Sequence, residues 1–336
     1  MSSHFLGNSI KLENVYIAST GTVCGPLEYQ GPLGSSFDKG FGDYHCGEDS
    51  FEKAERKMLR DSLDICLKRE KLKQKDIDLY IGGDLLNQIT TVNYLARELP
   101  KPFVGIYGAC SSFCLSMAMS SLLIEGGFVD KVIAMVSSHN ATAERQYRYP
   151  VEYGVQKKDT TTFTATGAIS TLLTNQPTQV RVESITLGKV VDYSQDDPND
   201  MGRAMAPAAY DTITTHFEDL KRSFQDYDLV VTGDLSTYGH KILKEMMQRH
   251  KIDVVHYNDC GCMLYDLQNQ EVFQGGSGCA CSGLVTMGGH LYPMLKDKKY
   301  KRVLVVATGA LLSPMMSAQK DTIPCVAHAI SLEVVE

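Results

Sequence analysis

Along the 336-residue chain the spacing of apolar positions switches repeatedly between strand-like and helix-like periods. Val15 to Ala18 is a short run rich in β-branched residues ending at Gly21, and it predicts a strand. Gly25 to Gly47, with six glycines and two prolines, reads as loop. From Ser50 to Glu70 the positions Phe51, Ala54, Met58, Leu59, Ser62, Leu63, Cys66 and Leu67 recur at three and four, which predicts an amphipathic helix with Ser50 as N-cap. Asp78 to Ile81 predicts a buried strand entering a Gly82-Gly83 turn, and Asn87 to Leu99 a helix stopped by Pro100. Phe103 to Tyr107 follows as a strand, Ser111 to Glu125 as a helix and Lys131 to Val136 as a strand. Strands interleaved with helices of this length specify an α/β fold with largely parallel strands.

The pattern is duplicated. The ten residues from Asp76 to Leu85 recur from Asp226 to Leu235 with six identities. Ala109-Cys110-Ser111-Ser112 recurs as Ala280-Cys281-Ser282-Gly283, Lys131 to Val136 as Arg302 to Ala307, and Phe163 to Ser170 as Pro324 to Ser331, all in the same order. Two related halves follow, 1–176 and 177–336. The Ser111 to Glu125 helix is apolar on every face, so it must be buried on all sides. Its counterpart, Ser282 to Leu295, is also poor in charge. The two helices are therefore expected to pack together between two sheets. The result is a five-layer α-β-α-β-α body with a pseudo-twofold axis and one continuous core.

Composition narrows the function classes. With 33 Lys and Arg against 40 Asp and Glu the net charge is −7, which argues against a nucleic-acid partner. Ten cysteines in a chain of this length do not make a disulfide framework. Met1 to Lys11 lacks the basic and apolar regions of a signal peptide. The most apolar windows, Phe113 to Ile124 and Val303 to Leu312, are too short to span a bilayer. A soluble chain made in a reducing compartment is expected, meeting a membrane only at its surface.

Gly105-Ile-Tyr-Gly-Ala-Cys110-Ser-Ser is a strand running into a tight turn that opens the buried helix. A thiol there faces unpaired backbone N–H groups and the positive end of the helix dipole, which lower a thiol pKa. The arrangement suits an activated nucleophile or an anion pocket; the plain alternative is a buried structural cysteine, as read for Cys66, Cys114 and Cys325. Cys281 begins the equivalent helix, so the twofold is expected to bring two helix N-termini toward one cleft.

The repeat, the elbow at Cys110 and the buried helix together resemble the thiolase and ketoacyl-synthase superfamily over nearly the whole chain. That resemblance implies a thiolase-like fold in which the cysteine takes an acyl group from a thioester while a His and an Asn, or two His, stabilise the charges of a condensation. Here Gly233 stands where the histidine would close the Asp228 to Gly233 strand, and Ser277 where the asparagine would sit in the Gly276-Ser277-Gly278 turn. Neither can act as a general acid or base. His240 and His290 are the histidines nearest these positions, but nothing in their spacing requires a catalytic role.

Longer motifs narrow the resemblance. Gly108 to Ser112, Ser137 to Gly154, Met201 to Ala209 and Thr308 to Pro314 are similar to the stage V sporulation protein AD family. The resemblance implies a protein of spore-forming bacteria that binds dipicolinic acid (pyridine-2,6-dicarboxylate) and helps load it with calcium into the developing spore, with a further role in its release at germination. It implies no cofactor, dipicolinic acid as the ligand, free or as its calcium chelate, integral membrane partners from the same operon, peripheral association with the spore inner membrane, and a homodimer as one oligomeric option. The other function left open is an acyltransferase or condensing enzyme with Cys110 as acyl acceptor.

A flat dianion needs fixed donors and positive potential. The expected ligand-binding residues are Cys110, Ser111 and Ser112 at the elbow, His139, Arg145 and Arg148 after the strand ending at Ser138, and Ser277 in the turn. One carboxylate is expected on the Cys110-Ser111-Ser112 amides and the other on Arg145 or Arg148; pairing of both arginines with Glu144 and Glu152 is the alternative. Cys260-Gly-Cys262 and Cys279-Ala-Cys281 have one residue between thiols, too few for an ordinary zinc site, so no metal is expected. The Asp192 to Asp200 loop lacks EF-hand spacing and reads as a solvated turn. Lys68 to Lys75 suits a helix C-terminus, with too few charges to mark a lipid surface.

Overall fold

The computed structural model describes residues 5–335. Its main sheet holds two runs of five strands. The first comprises β1 (Tyr16–Cys24), β2 (Leu79–Gly83), β3 (Phe103–Gly105), β4 (Lys131–Ser138) and β5 (Gly167–Thr174), in the spatial order β1-β5-β4-β2-β3. The second comprises β6 (Val180–Leu187), β7 (Leu229–Thr232), β8 (Tyr257–Asp259), β9 (Arg302–Ala310) and β10 (Cys325–Val334), in the order β6-β10-β9-β7-β8. Directions repeat as well. β2 is parallel to β3 and β4 while β5 is antiparallel to β4 and β1. In the same way β7 is parallel to β8 and β9 while β10 is antiparallel to β9 and β6. The two Asp-x-Asp repeats thus lead into equivalent strands, β2 and β7. The runs meet edge to edge at one bridge, Arg181 to Tyr16.

Helices complete the five layers. α1 (Phe51–Arg69) and α2 (Thr90–Ala96) cover one outer face, and α3 (Ser112–Glu125) lies inside against strands of both runs. α4 (Asn140–Tyr147) follows β4, while α5 (Met201–Leu220) and α6 (Ser236–Arg249) cover the other outer face. α7 (Cys279–Gly283) packs on α3, and α8 (Leu291–Lys296) closes the second half. The local signals of α1 act as expected: Ser50 accepts from the Lys53 amide, and Ala54, Met58, Leu59, Leu63 and Cys66 are buried. Inside α3, Ser112, Ser116 and Ser121 return their hydroxyls to carbonyls three or four residues back, while Ser120 Oγ is buried without a partner. α3 and α7 approach closely because Gly283 has no side chain. A Cβ there would lie 2.8 Å from Ile169 Cδ1 and 3.2 Å from Phe113 Cδ2.

Several elements differ from expectation. Gly82 and Gly83 are not a turn; they pair with Met135 and Val136 of β4 and extend β2. The helix expected over 87–99 is a 3-10 turn, Asn87–Ile89, followed by a short α2, because Gln88 (φ 55°) and Ile89 (φ 46°) are left-handed. The helix expected over 282–295 is broken into α7, a π turn at Leu284–Gly289, and α8. Two adjacent glycines weaken it there, and tight packing of Gly288 on Thr22 and of Gly289 on Leu33 holds the distorted path. His290 stands at this break, with φ −145° and ψ −63°, not within a helix. The loop from Gly25 to Gly47 contains a short helix, Pro26–Gln30.

That short helix carries a buried acid. Glu28 Oε1 accepts from the Thr166 amide at 3.0 Å and from the Tyr265 hydroxyl, while Oε2 is buried without a partner. Burial raises its pKa from 4.5 to about 7, against the lowering effect of these bonds. The folded state therefore holds the proton more tightly than the unfolded chain. The corresponding stabilisation is complete below pH 4.5 and is lost as pH rises through about 7. Glu28→Gln should remove this titration: urea midpoints of variant and parent should agree at pH 4, and at pH 8 the variant should be the more stable by about 3 kcal/mol.

Candidate functional site

The elbow forms where β3 gives way to α3. Ala109 is left-handed (φ 49°), an unusual conformation outside glycine that turns the chain sharply and places Cys110 in a 3-10 turn, Ala109–Ser111. The turn changes what the helix start can offer. The Ser111 amide donates to the Gly108 carbonyl at 3.0 Å and the Ser112 amide to the Ala109 carbonyl. The Ser111 and Ser112 hydroxyls are also occupied, by the Gly108 carbonyl at 2.6 Å and the Ala109 carbonyl at 2.8 Å. The expected cradle of three free amides is thus not formed, because i to i−3 bonds satisfy two of them.

The expected low thiol pKa is likewise reversed. Cys110 is only 7% exposed, and burial pushes its pKa well above the ordinary thiol range, with nearby Asp234 adding to the rise and the Gly278 amide offsetting part of it. Desolvation of the thiolate outweighs the helix dipole. At neutral pH Cys110 is a protonated thiol.

Cys110 opens onto a small cavity of about 30 Å³, lined among others by Leu85, Ala143, Tyr147, Arg148 and Ser277. That is room for about two waters. Of the residues expected from sequence, the structure brings Cys110, Arg148 and Ser277 together here. Arg148 is the only charged side chain in this lining among the described residues. It is buried, pairs through Nη1 with Glu144 and donates from Nε to the Pro198 carbonyl at 3.3 Å. Lys157 approaches Glu144 at 3.4 Å, so two cations share one carboxylate. The Ser277 hydroxyl is engaged with Thr162 at 2.9 Å.

The other expected residues lie elsewhere. Arg145 points away from the cavity, is half-exposed and pairs with Glu52, not Glu152. His139 is fully buried as the cap of α4: Nδ1 accepts from the Ala141 amide at 3.1 Å and Nε2 donates to the Tyr44 carbonyl at 2.8 Å. Burial pushes its pKa down to about 4, so the ring is neutral at pH 7. His240 stacks on Tyr257 with ring centroids 4.5 Å apart, and His290 contacts the Tyr300 hydroxyl; neither lines the cavity.

Buried acids position the walls. Glu55 of α1 accepts from Ser137 Oγ at the end of β4 and from Thr142 Oγ1 in α4, tying that helix down. Asp84 accepts from the Leu86 and Val92 amides and shapes the loop that carries Leu85. Burial raises the pKa of both, as expected for carboxyls in the interior. At Gly233 a Cβ would lie 2.9 Å from Ala307 Cα and 3.1 Å from Ser282 Cβ, so the position has no room for an imidazole. Cys260, Cys279 and Cys281 are buried free thiols, and among the described residues no three His, Cys, Asp or Glu side chains converge as a metal site. In the acidic loop Asp200 caps α5 and Asp197 pairs with Lys158.

Sequence reasoning did not single out Tyr147, Met201, Ala310 and Leu312 as cavity residues. All four lie within the motifs running from 137 to 154, 201 to 209 and 308 to 314, so the clustering of long motifs was the available signal.

The profile of the stage V sporulation protein AD family matches residues 8–333. The chain belongs to that family. Stage V sporulation protein AD of Bacillus subtilis (strain 168) is 49% identical over 320 residues, which cover 95% of this chain and 94% of the relative. Among solved structures, 3-oxoacyl-acyl-carrier-protein synthase III from Aquifex aeolicus VF5 is similar with a TM-score of 0.58 and 12% identity, covering 95% of this chain and 99% of that one. An OleA variant from Xanthomonas campestris gives 0.59 and 13%, covering 96% and 99%. These likenesses establish a thiolase-like fold. In this member of the stage V sporulation protein AD family the elbow at Cys110 opens an interior helix, with Ser277 in the same cavity lining.

Proposed function

We propose that the Cys110 cavity binds dipicolinic acid and that the protein serves the loading of dipicolinate with calcium into the developing spore and its release at germination. The observation that carries this reading is Arg148, a buried guanidinium facing a cavity whose thiol is protonated. Such a site suits recognition of a carboxylate by charge-assisted hydrogen bonds. It suits condensation poorly, since among the described residues no histidine lines the cavity beside Cys110. Membership of a sporulation family supports the setting. No helix among the described residues is long and apolar enough to cross a membrane. The proposal therefore gives the membrane-spanning role to partner proteins, with this chain associated at the spore inner membrane.

Titration calorimetry tests the reading. Dipicolinate should bind one per chain, and pyridine-2-carboxylate, with one carboxylate fewer, should bind about tenfold or more weakly. Incubation with an acyl thioester should leave the mass of Cys110 unchanged. Absence of dipicolinate binding would refute the proposal, and an acyl-Cys110 adduct with turnover would establish the acyl-transfer reading in its place.

A further inference from the structure

The cavity at Cys110 shares a wall with a larger one. An outer chamber of about 410 Å³ opens between the loop from Leu86 to Ile89, the residues after β3, and the segment from Leu311 to Pro314. Among the described residues only Tyr147 and Leu312 line both spaces. Dipicolinate is too large for the inner space as it stands, so a wall has to move.

Tyr147 is built as a movable one. Its hydroxyl donates to the Leu85 carbonyl and accepts from the Tyr107 hydroxyl at 2.9 Å. Next to it Gln146 donates to the same carbonyl at 2.9 Å and accepts from the Asn87 amide at 2.8 Å. These side chains latch the end of α4 to a loop whose next two residues, Gln88 and Ile89, are left-handed, a conformation β-branched residues rarely take. α4 itself is fixed at its other end, where Thr142 is held by Glu55. Tyr147 is its last residue, and the backbone leaves the helix at Arg148 with φ −135° and ψ −97°. A change in the position of the ring therefore requires no displacement of the anchored part of the helix.

We infer that Tyr147 is the gate between the two chambers: ligand collects in the outer chamber and reaches Cys110 and Arg148 when the Tyr147 hydroxyl releases Leu85 and Tyr107. The role in dipicolinate entry rests on the binding reading above, but the gate itself is measurable without that ligand.

N-ethylmaleimide, a small neutral thiol reagent, provides the probe, with the rate at each cysteine read by peptide mass. In the full-length protein Cys110 should react slowly. Tyr147→Phe keeps the ring and removes both hydroxyl bonds, and should speed Cys110 alkylation about tenfold. Tyr147→Ala should speed it further, while Tyr147→Trp keeps the space filled and should stay within a few-fold of the parent. Cys66 and Cys114, buried and outside the linings of both chambers, should remain slow throughout. An unchanged Cys110 rate in both the phenylalanine and alanine variants would overturn the gate, as would an equal rise at Cys66 and Cys114, which marks general loosening. Dipicolinate should also dissociate about tenfold faster from Tyr147→Phe than from the parent. If Cys110 alkylation responds as described but no form binds dipicolinate, the gate stands and the ligand assignment fails.

Discussion

Arg148→Ala should weaken dipicolinate binding on the order of a hundredfold, whereas Arg145→Ala should leave it within about twofold. The two arginines are three residues apart, yet only Arg148 lines the cavity. Its Nη1 and Nε are engaged with Glu144 and Pro198, and among the described residues Nη2 has no protein partner and is free to meet a ligand carboxylate. Lys157 makes the cluster cationic overall, so a dianion entering it gains charge attraction that burial strengthens. In the alanine variant Glu144 keeps Lys157, which limits the damage to the fold, and a thermal melt of each variant checks this. Calorimetry decides the matter. Equal losses in the two variants would place the ligand outside this cavity.

Gly233→His, which places a histidine where the resemblance to the synthases leads one to expect it, should destabilise the protein by about 3 kcal/mol and yield no condensing activity. The obstacle is backbone. A Cβ at 233 would stand 2.9 Å from Ala307 Cα in β9, which is held between β7 and β10 and cannot withdraw without breaking its ladders. Urea unfolding measures the loss, and an acyl-thioester condensation assay measures the activity. A variant as stable as the parent would overturn the packing argument at Gly233, and one that condenses acyl groups would overturn the non-catalytic reading.

These contrasts mark how far residue patterns carry. The repeat of Asp76 to Leu85 at Asp226 to Leu235 is strong because each copy must enter a parallel strand with the same neighbours, and β2 and β7 do so. The apolar character of α3 places it inside as expected, but not buried on every side: Leu115, Met119, Leu122 and Leu123 are only partly buried. The Cys110 elbow was visible as a strand-turn-helix. Its chemistry was not. Whether a thiol at a helix start is activated depends on the competition between dipole and desolvation, and the covering side chains come from distant parts of the chain, Tyr147, Met201 and Leu312 among them. The free amides were lost to a 3-10 turn, a difference of one residue in hydrogen-bond spacing that residue types do not specify. Arg145 and Arg148 were indistinguishable because α4 ends between them, and the path of the backbone past that end decides which one turns inward.

By itself the sequence determined the α/β class, the duplication, the interior position of the first helix and the position of the elbow, because these depend on hydrophobic periodicity and repeated local motifs. The tertiary structure decided that Cys110 is a protonated thiol in a small cavity, that Arg148 and not Arg145 lines it, and that Gly233 has no space for another side chain. Those properties depend on desolvation and close packing among residues far apart in the chain, and such effects exist only once the two halves have folded against each other.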